Sequence, residues 1–390
     1  MREELYLIKI CSAYLDRLAI HLEESVDYSR LFSVSREHNL LAIVYSVIKT
    51  ADNKDIIPDD IYKKFEDAFF ETIIRYDAQS AVKEKLDSIL CENKIKHIFF
   101  KGAEIREYYP VPEVRAMGDI DILIQPEQRD TVRSLLTSNK FEVKNENGPV
   151  YDYVKDGVLI EMHTNLVNGR VGNSCADKYF KNAMEKAEYD GYRGSFDADY
   201  HFAYLITHIA HHFWFYGAGI KLILDLAVMQ KHFEIDHIVV MEHMQKLGLE
   251  QFARVILTVC QKWFGIGIDY GADTQVTEKF ITYFGAFGNS KRNNASVVQR
   301  KELEEGKHTS PFATRLRLLF PSYSKIKDIP YIKFINGRPY LLPLAWIYRI
   351  VYNIRYRRTF VMEVNSSIGS DITNTMAQKE LAYFEEIGLL

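Results

Sequence analysis

The chain has 390 residues, which is enough for two or three domains at roughly 100–200 residues each. Hydrophobic residues make up 47% and charged residues 26%, as in folded soluble proteins, and the net charge of −4 gives no overall attraction to nucleic acid. The cysteines form no C-x-x-C pair, which excludes a structural zinc site of that type and argues against a disulfide framework.

The N-terminus lacks the features of a secretory signal. It begins MREELYLIKICSAYL, with two acids where a signal peptide has basic residues and with no small-residue cleavage site after them. The nearest approach to a membrane-spanning run, residues 340–351, contains Pro343 and Arg349 and is too short to cross a bilayer. We therefore expect a cytoplasmic protein without a transmembrane segment.

Residues 1–84 are predicted to form an N-terminal helical region, because apolar residues recur there at intervals of three and four. Pro58, followed by Asp59 and Asp60, is typical of a helix start. The helical pattern that follows runs from Ile61 to about Asn93. The first region is therefore expected to lead into the next one through a long helix.

Residues 85–195 mix short strands with helices, which predicts a compact α/β or α+β unit. A strand at 96–100 meets a turn at Lys101-Gly102, one or two helical turns follow at 103–109, and a helix is predicted at 126–139. Further strands are predicted at 118–124, 141–144, 150–154 and 158–163. Asp156-Gly157 is a hairpin-turn sequence between the last two.

The rest of the chain returns to helical patterns. Residues 196–288 predict a helical domain whose first two helices are separated by Gly217 and Gly219. Residues 289–310 are polar and without periodicity, which predicts a mobile linker. Residues 311–390 predict a helical C-terminal region rich in basic and aromatic residues.

The basic character of the C-terminal region is local. Residues 314–358 hold ten Lys or Arg, one acid and nine aromatic residues, whereas the whole chain is acidic. Three interpretations remain open: a basic wall over a ligand cleft, which we favour, a surface for an anionic partner such as nucleic acid, or a helix on a membrane surface.

Two aspartates share one face of the strand in GDIDILI. Side chains two apart on a strand lie on the same side, so Asp119 and Asp121 are together while isoleucines fill the opposite side. Unpaired carboxylates are costly to bury, and a divalent cation such as Mg²⁺ would balance both charges. The alternative is a strand edge that faces water, or acids that pair with Lys or Arg.

Glu161 stands alone in the middle of the apolar strand VLIEMH, on the face that also carries Leu159 and His163. If this strand neighbours the first, Asp119, Asp121 and Glu161 converge. Convergent carboxylates that hold divalent ions are the usual solution for in-line nucleotidyl transfer. The alternative for Glu161 is an exposed partner of a lysine on a neighbouring strand.

These motifs resemble a known family, the uncharacterised nucleotidyltransferases with a K-G…R-x-x-G-D-x-D signature, within the polymerase-β-like superfamily. The resemblance covers roughly residues 30–350, with its specific motifs inside 101–163. It implies an α+β fold in which a small mixed sheet is flanked by helical domains. It also implies transfer of NMP from an NTP to a hydroxyl acceptor, with Mg²⁺ or Mn²⁺ and release of pyrophosphate. The matching residues are Lys101, Gly102, Arg115, Gly118, Asp119, Asp121 and Glu161, followed by the helical pattern His211, Lys221 and Asp225.

The resemblance implies roles for five of the matching residues. Asp119, Asp121 and Glu161 would be the catalytic metal ligands, and Lys101 and Arg115 would neutralise the triphosphate. The family turn normally carries Gly followed by Ser or Gly, but here Ala103 follows Gly102, so no hydroxyl is available for phosphate. Phosphate binding would then depend on backbone N–H groups and the Lys101 ammonium.

Each cationic or histidine candidate has a simpler interpretation. Lys101 could be a solvated strand end and Arg115 a surface partner of Glu113. Lys221 and Asp225, four apart, could be an ordinary helix pair. His208 and His212 have a spacing found in zinc sites but lack a nearby third ligand, which favours core or interface histidines.

Three functions compete on the sequence alone. The first is a nucleotidyltransferase that acts on a small molecule, saccharide or macromolecule. The second is a non-catalytic protein that binds nucleotide and serves as a scaffold, which the missing hydroxyl favours and the three acids oppose. The third is a toxin-like transferase acting on RNA or protein, which only the basic C-terminal region supports.

Overall fold

The computed structural model describes residues 2–146, 149–169, 171–215, 217–284, 316–327, 329–356 and 371–390, together with Arg300 and Leu303. The chain divides into two compact units, one of residues 1–289 with Leu389 and one of residues 290–388 with Leu390. The finer division into five regions stays a prediction. The predicted linker at 289–310 lies outside the described residues, apart from Arg300 and Leu303.

The first unit begins with helices, as predicted. They are α1 (Arg2–Leu15), α2 (Tyr28–Glu37), α3 (Leu41–Ile48) and α4 (Asp59–Glu92). α4 starts directly after Pro58 and carries Asp59 and Asp60 in its first turn, where their negative charges interact favourably with the positive end of the helix dipole. Its 34 residues extend past the predicted boundary at residue 84, so this helix joins the N-terminal helices to the sheet.

One sheet of seven strands lies at the centre of the first unit, in the order β3-β4-β5-β2-β1-β7-β6. The strands are β1 (His97–Phe99), β2 (Asp119–Ile124), β3 (Glu142–Asn145), β4 (Val150–Lys155), β5 (Val158–His163), β6 (Glu188–Asp190) and β7 (Arg193–Ser195). The β2–β5 and β1–β7 pairs are parallel and the others antiparallel, so the sheet is mixed, as expected. The sequence did not predict β6 and β7, because three residues are too few to show a strand period.

One face of this sheet is apolar and packs on helices. Ile120, Ile122 and Ile124 of β2 join Val158, Ile160 and Met162 of β5 in a buried core with side chains of α4 and of α6 (Arg129–Ser138). Apolar and polar side chains therefore alternate along both strands, as predicted. Their polar residues therefore occupy the opposite face, which is free to form a site.

The predicted hairpin turn joins β4 to β5. Asp156 and Gly157 have φ values of +50° and +77°, as the mirror-image turns of tight hairpins require. Lys155 is paired directly with Val158 across the turn. The turn thereby fixes the register of β5 beside β4.

A short helix, α5 (Gly102–Ile105), follows β1, and a further one, α7 (Ala176–Tyr179), precedes β6. A helical bundle completes the first unit. Its members are α8 (Ala198–Phe215), α9 (Ile220–His232), α10 (His237–Leu247), α11 (Glu250–Phe264) and α12 (Gln275–Phe284). Gly217, with φ of +102°, lies in the predicted break between α8 and α9. α11 packs against α9 and α1, which ties the bundle to the N-terminus.

The described part of the second unit is also helical. It contains α13 (Tyr323–Ile326), α14 (Leu342–Tyr356) and α15 (Asp371–Glu386). A small core forms from Ile326, Ile332, Ile335 and Ala345. Among the described residues of both units, no helix combines the length and the apolarity needed to cross a bilayer.

Candidate active site

A row of acids crosses three adjacent strands on the polar face of the sheet. Asp121 of β2 lies directly opposite Glu161 of β5, and Glu161 lies directly opposite Asp152 of β4. Directly paired residues point to the same face, so these carboxylates are neighbours. Asp119, two residues before Asp121, points the same way at the start of β2.

Asp121 is buried, and one of its carboxylate oxygens has two hydrogen-bond partners. Its Oδ1 lies 2.7 Å from Nζ of Lys101 and 3.0 Å from Nε2 of His163. Burial acts to raise the pKa of Asp121, but the Lys101 ammonium and His163 outweigh it and hold the pKa below its usual range. Asp121 is therefore ionised in the folded chain.

His163 bridges two of the acids. Its Nε2 also lies 3.4 Å from Oε2 of Glu161. Burial acts to lower the pKa of His163, but the hydrogen bonds to Asp121 and Glu161 outweigh burial and raise it. The hydrogen bond from His163 in turn holds the pKa of Glu161 below its usual range, against the effect of burial.

Within the described parts of the chain, Asp119 forms no ion pair like the one between Asp121 and Lys101, and its pKa shows the cost of placing a third acid here. Burial raises its pKa, and the Asp121 and Glu161 carboxylates raise it further, to about 7. Two ionised acids beside a third make its ionisation unfavourable unless a cation compensates. This crowding of negative charge is the environment in which a divalent ion is stabilised.

The donor set fits a divalent cation. Asp121, Glu161 and His163 each offer one ligand atom, and these atoms lie within 4.8 Å of one another. Carboxylate oxygens suit Mg²⁺ and Mn²⁺, and an imidazole nitrogen suits Mn²⁺ and other transition ions. In this structure the Lys101 ammonium pairs with Asp121, so a bound cation would share or displace the Lys101 contact.

Lys101 and Gly102 form a tight turn between β1 and α5. Lys101 has φ of +51° and ψ of −130°, a conformation that side-chain-bearing residues rarely adopt and that concentrates at functional sites. A Cβ atom on Gly102 would lie 2.9 Å from Nη1 of Arg115 and 3.0 Å from Sδ of Met117, so a side chain there would force these two residues to shift. The interpretation of Lys101 as a solvated strand end is wrong, because its ammonium pairs with buried Asp121.

Arg115 is buried and bonded across the molecule to α9. Its Nε and Nη2 each donate to a different oxygen of Asp225 at 2.8 Å, and the Tyr109 hydroxyl donates to Asp225 at 2.6 Å. The interpretation of Arg115 as a surface partner of Glu113 is therefore wrong.

Lys221, one turn before Asp225 on α9, donates to the carbonyl of Ala116 at 3.2 Å. Burial and the nearby Arg115 lower the pKa of Lys221 to about 8.

Most of these side chains line one cavity of about 320 Å³ between the sheet and the helical bundle, while His163, Asp152 and Tyr109 are outside its lining. It contains every residue that the sequence singled out for the site: Lys101, Gly102, Arg115, Gly118, Asp119, Asp121, Glu161, His211, Lys221 and Asp225. The cavity thus brings four carboxylates together with several cations in a space of ligand size.

Some residues at this site were missed or placed elsewhere by sequence reasoning. His208 and His212, interpreted as core or interface residues, line the cavity with their Nε2 atoms 3.2 Å apart. Burial holds the pKa values of both well below their usual range, so both rings are uncharged. His163 and Asp152 were not selected, although each shows the signal that marked Glu161: a polar residue in step with the acid face of an alternating strand.

The chain was compared with known proteins. The family described as "Uncharacterised nucleotidyltransferase" matches residues 24–265, which is more than half of the chain. The chain belongs to this nucleotidyltransferase family. No curated protein and no solved structure gave a match.

The match to the nucleotidyltransferase family includes the whole candidate site. It begins just before α2 and ends at Gly265, directly after α11, so it contains the sheet, the cavity and the ion pair between Arg115 and Asp225. The second unit lies outside the match. The nucleotidyltransferase assignment therefore applies to the unit that carries the carboxylates.

Proposed function

We propose that this nucleotidyltransferase moves an NMP group from an NTP to a hydroxyl acceptor, with a divalent metal ion and release of pyrophosphate. The observation that carries the proposal is the direct pairing of Asp121 with Glu161 on parallel strands, at the wall of a cavity that also holds Asp119. Burial and the neighbouring Asp121 and Glu161 carboxylates raise the pKa of Asp119 to about 7, and a bound cation would relieve this crowding of negative charge.

In the proposed reaction, Asp119, Asp121 and Glu161 hold the metal, which would be Mg²⁺ or Mn²⁺. Bound there, such an ion supplies Lewis-acid activation and charge neutralisation at the transferred phosphorus. His163 holds Asp121 and Glu161 in place through its Nε2 contacts. Glu161, one-third exposed and ionised, would also accept the proton of the acceptor hydroxyl.

The cations of the cavity would bind the triphosphate. Lys101 reaches Asp121 and Lys221 reaches the Ala116 carbonyl, so both ammonium groups lie at the cavity wall near the acids. Arg115 is held by both oxygens of Asp225, so we assign it mainly to fixing the cavity wall beside Gly102. His211 and Gly118 line the same cavity and would contact the nucleotide.

A non-catalytic nucleotide-binding protein is the second candidate. Two observations favour it: the 2.7 Å ion pair between Lys101 and Asp121, which occupies a carboxylate oxygen, and the absence of a hydroxyl at Ala103. In such a protein Lys101 would keep Asp121 neutralised and the chain would bind NTP without breaking it. The two candidates differ in their need for a metal ion and in pyrophosphate release.

The test is incubation with α-labelled NTPs, with Mg²⁺ or Mn²⁺ and with a cleared cell extract as the source of acceptors. We expect metal-dependent pyrophosphate release and label transfer, both lost in Asp121→Asn. The matched control is Asp177→Asn, an exposed aspartate outside the cavity. Activity that survives in Asp121→Asn, or NTP binding without turnover in the unaltered chain under every condition, would contradict the proposed transfer reaction.

A further inference from the structure

A second cluster of metal-ligand side chains lies on the other face of the sheet. Asp87 and Cys91 are one turn apart in α4, and His97 begins β1. One donor atom from each of them lies within 4.8 Å of the other two. His97 shares its strand face with Phe99, which packs in the core beneath α4, so this cluster and the acid row are on opposite sides of the sheet.

The buried His97 ring faces two acceptors. Its Nδ1 lies 2.9 Å from the carbonyl oxygen of Ile95, and its Nε2 lies 2.7 Å from Oδ1 of Asp87. A neutral imidazole carries one N–H, so it can donate to only one of these oxygens. The other contact requires a second proton on the ring, or a bound cation that replaces the hydrogen bond to Asp87 and moves the nitrogen and oxygen apart to about 3.3 Å.

The arrangement around His97 matches the usual environment of a metal-binding histidine. Such a residue donates its other ring N–H to a backbone carbonyl or carboxylate, which fixes the tautomer and directs the free nitrogen to the metal. Donation from Nδ1 to Ile95 does this and turns the Nε2 lone pair toward Asp87.

The other two side chains complete a set of mixed donors. Oδ1 of Asp87 also lies 3.7 Å from Sγ of Cys91, while Oδ2 lies 3.8 Å from Nη1 of Arg193. Arg193 thus balances one carboxylate oxygen and leaves the other directed at His97 and Cys91. Asp87 is 27% exposed, so an ion can enter from solvent.

We propose that Asp87, Cys91 and His97 form a zinc site, with water as the fourth ligand. Thiolate, imidazole and carboxylate together are a donor set that Zn²⁺ prefers and that Mg²⁺ does not. On binding, the Cys91 thiol loses its proton to solvent, and the zinc–sulfur bond replaces the S–H bond. The ligands lie on both sides of the turn between α4 and β1. The bound ion would therefore hold the end of α4 to β1, the strand that leads to Lys101.

The test uses Co²⁺ as a spectroscopic probe in the full-length chain, after divalent ions have been removed with a chelator and the chelator dialysed away. Coordination by Cys91 produces a thiolate-to-cobalt charge-transfer band, which the acid row cannot give because it contains no cysteine. We expect one equivalent of Co²⁺ to develop the band, Zn²⁺ to abolish it, and Asp121→Asn to leave it unchanged. Failure of nucleotidyl transfer would therefore not affect this result.

Variants then assign the ligands. Cys91→Ser should abolish the band and His97→Gln should weaken Zn²⁺ binding by at least about tenfold, with Cys175→Ser as the control at an exposed cysteine. Absence of the band in the unaltered chain, or its persistence in Cys91→Ser, would overturn the zinc site. So would ¹⁵N NMR evidence of a proton on Nε2 of His97 in the Zn²⁺-treated protein, since that would show an imidazolium paired with Asp87. The ¹⁵N spectrum of His97 in the unaltered chain tests this ligand even if a variant fails to fold.

Discussion

Arg115 and Asp225 are joined by two parallel hydrogen bonds of 2.8 Å, although 110 positions separate them in the chain. Arg115 lies in the segment before β2 and Asp225 lies in α9, so the pair connects the sheet to the helical bundle. Both side chains are almost completely buried. Removing one partner leaves the other as an uncompensated charge in the interior.

We predict that Asp225→Ala lowers the free energy of unfolding by about 3–5 kcal/mol, because it leaves the buried Arg115 guanidinium without its ion-pair partner. Urea denaturation measures this loss. The matched control is Glu250→Ala, which breaks the exposed pair between Glu250 and Arg254 and should cost less than about 1 kcal/mol. Equal losses in the two variants would show that the Arg115–Asp225 pair does not tie the sheet to the bundle.

A second prediction concerns Gly102 and Gly118, which frame the segment between β1 and β2. Gly102→Ala should destabilise the chain by about 1–3 kcal/mol, because the added Cβ meets Arg115 and Met117 at 3.0 Å or less. Arg115 cannot move away freely, since Asp225 holds its guanidinium. A Cβ on Gly118 meets no described atom within 4 Å, so Gly118→Ala should change stability by less than about 0.5 kcal/mol. Thermal unfolding of both variants checks the contrast, which would fail if they unfolded alike.

A third prediction follows from the raised pKa of Asp119. In the folded chain without metal this pKa is about 7, against an ordinary value of 3.8, so folding favours the protonated carboxyl. The stability associated with Asp119 is present below pH 3.8 and is lost as the pH rises toward and through 7. With EDTA present, Asp119→Asn should therefore be more stable than the unaltered chain at pH 8, and the difference should shrink at pH 5.

Melting temperatures of both proteins at the two pH values provide the measurement. Addition of Mn²⁺ at pH 8 should stabilise the unaltered chain more than Asp119→Asn, because a cation compensates the third carboxylate. An Asp119→Asn variant that is equally destabilised at both pH values would show that crowding of the acids does not control this titration.

A fourth prediction separates Glu161 from a purely structural acid. Glu161→Gln should reduce metal-dependent transfer by at least about 100-fold, since a lost metal ligand removes several kcal/mol of transition-state stabilisation. The fold should persist because Glu161 is 31% exposed. Glu188→Gln, at an exposed position on β6 of the same sheet, is the control. A comparable loss in both variants, or a loss in neither, would remove Glu161 from the proposed machinery.

Much of the first unit could be predicted because its patterns are local. The start of α4 after Pro58, the alternation in β2 and β5 and the turn at Asp156-Gly157 all depend on residues close in sequence. The strands β6 and β7 escaped prediction because they are three residues long and gain their order from pairing with β1.

Sequence reasoning selected residues that the structure brings to one cavity, but it did not predict their contacts. The motif residues from Lys101 to Asp225 do line one cavity, but their roles stay a proposal. Nothing local in the sequence could pair Arg115 with Asp225, or place Lys101 on Asp121, because those contacts depend on how the chain folds back on itself. His208 and His212 were interpreted as core or interface histidines because no third metal ligand lies near them in the sequence. The structure places both at the cavity, and a cavity-facing side of a helix has the same sequence pattern as a core-facing side.

The alignment of β2 with β5 also limits how this chain can change in length. Glu161 meets Asp121 only because the two strands are in step, with Ile160 beside Ile120 in the apolar layer beneath. Inserting a single residue into the first half of β5 would turn the glutamate toward the isoleucines and place an aliphatic side chain among the acids. Two inserted residues would return the glutamate to the face that carries Asp121 but would move its carboxylate two residues along the strand. Insertions and deletions in relatives should therefore fall outside β5 and its hairpin turn, at positions that do not change which side chains of β5 face the acids.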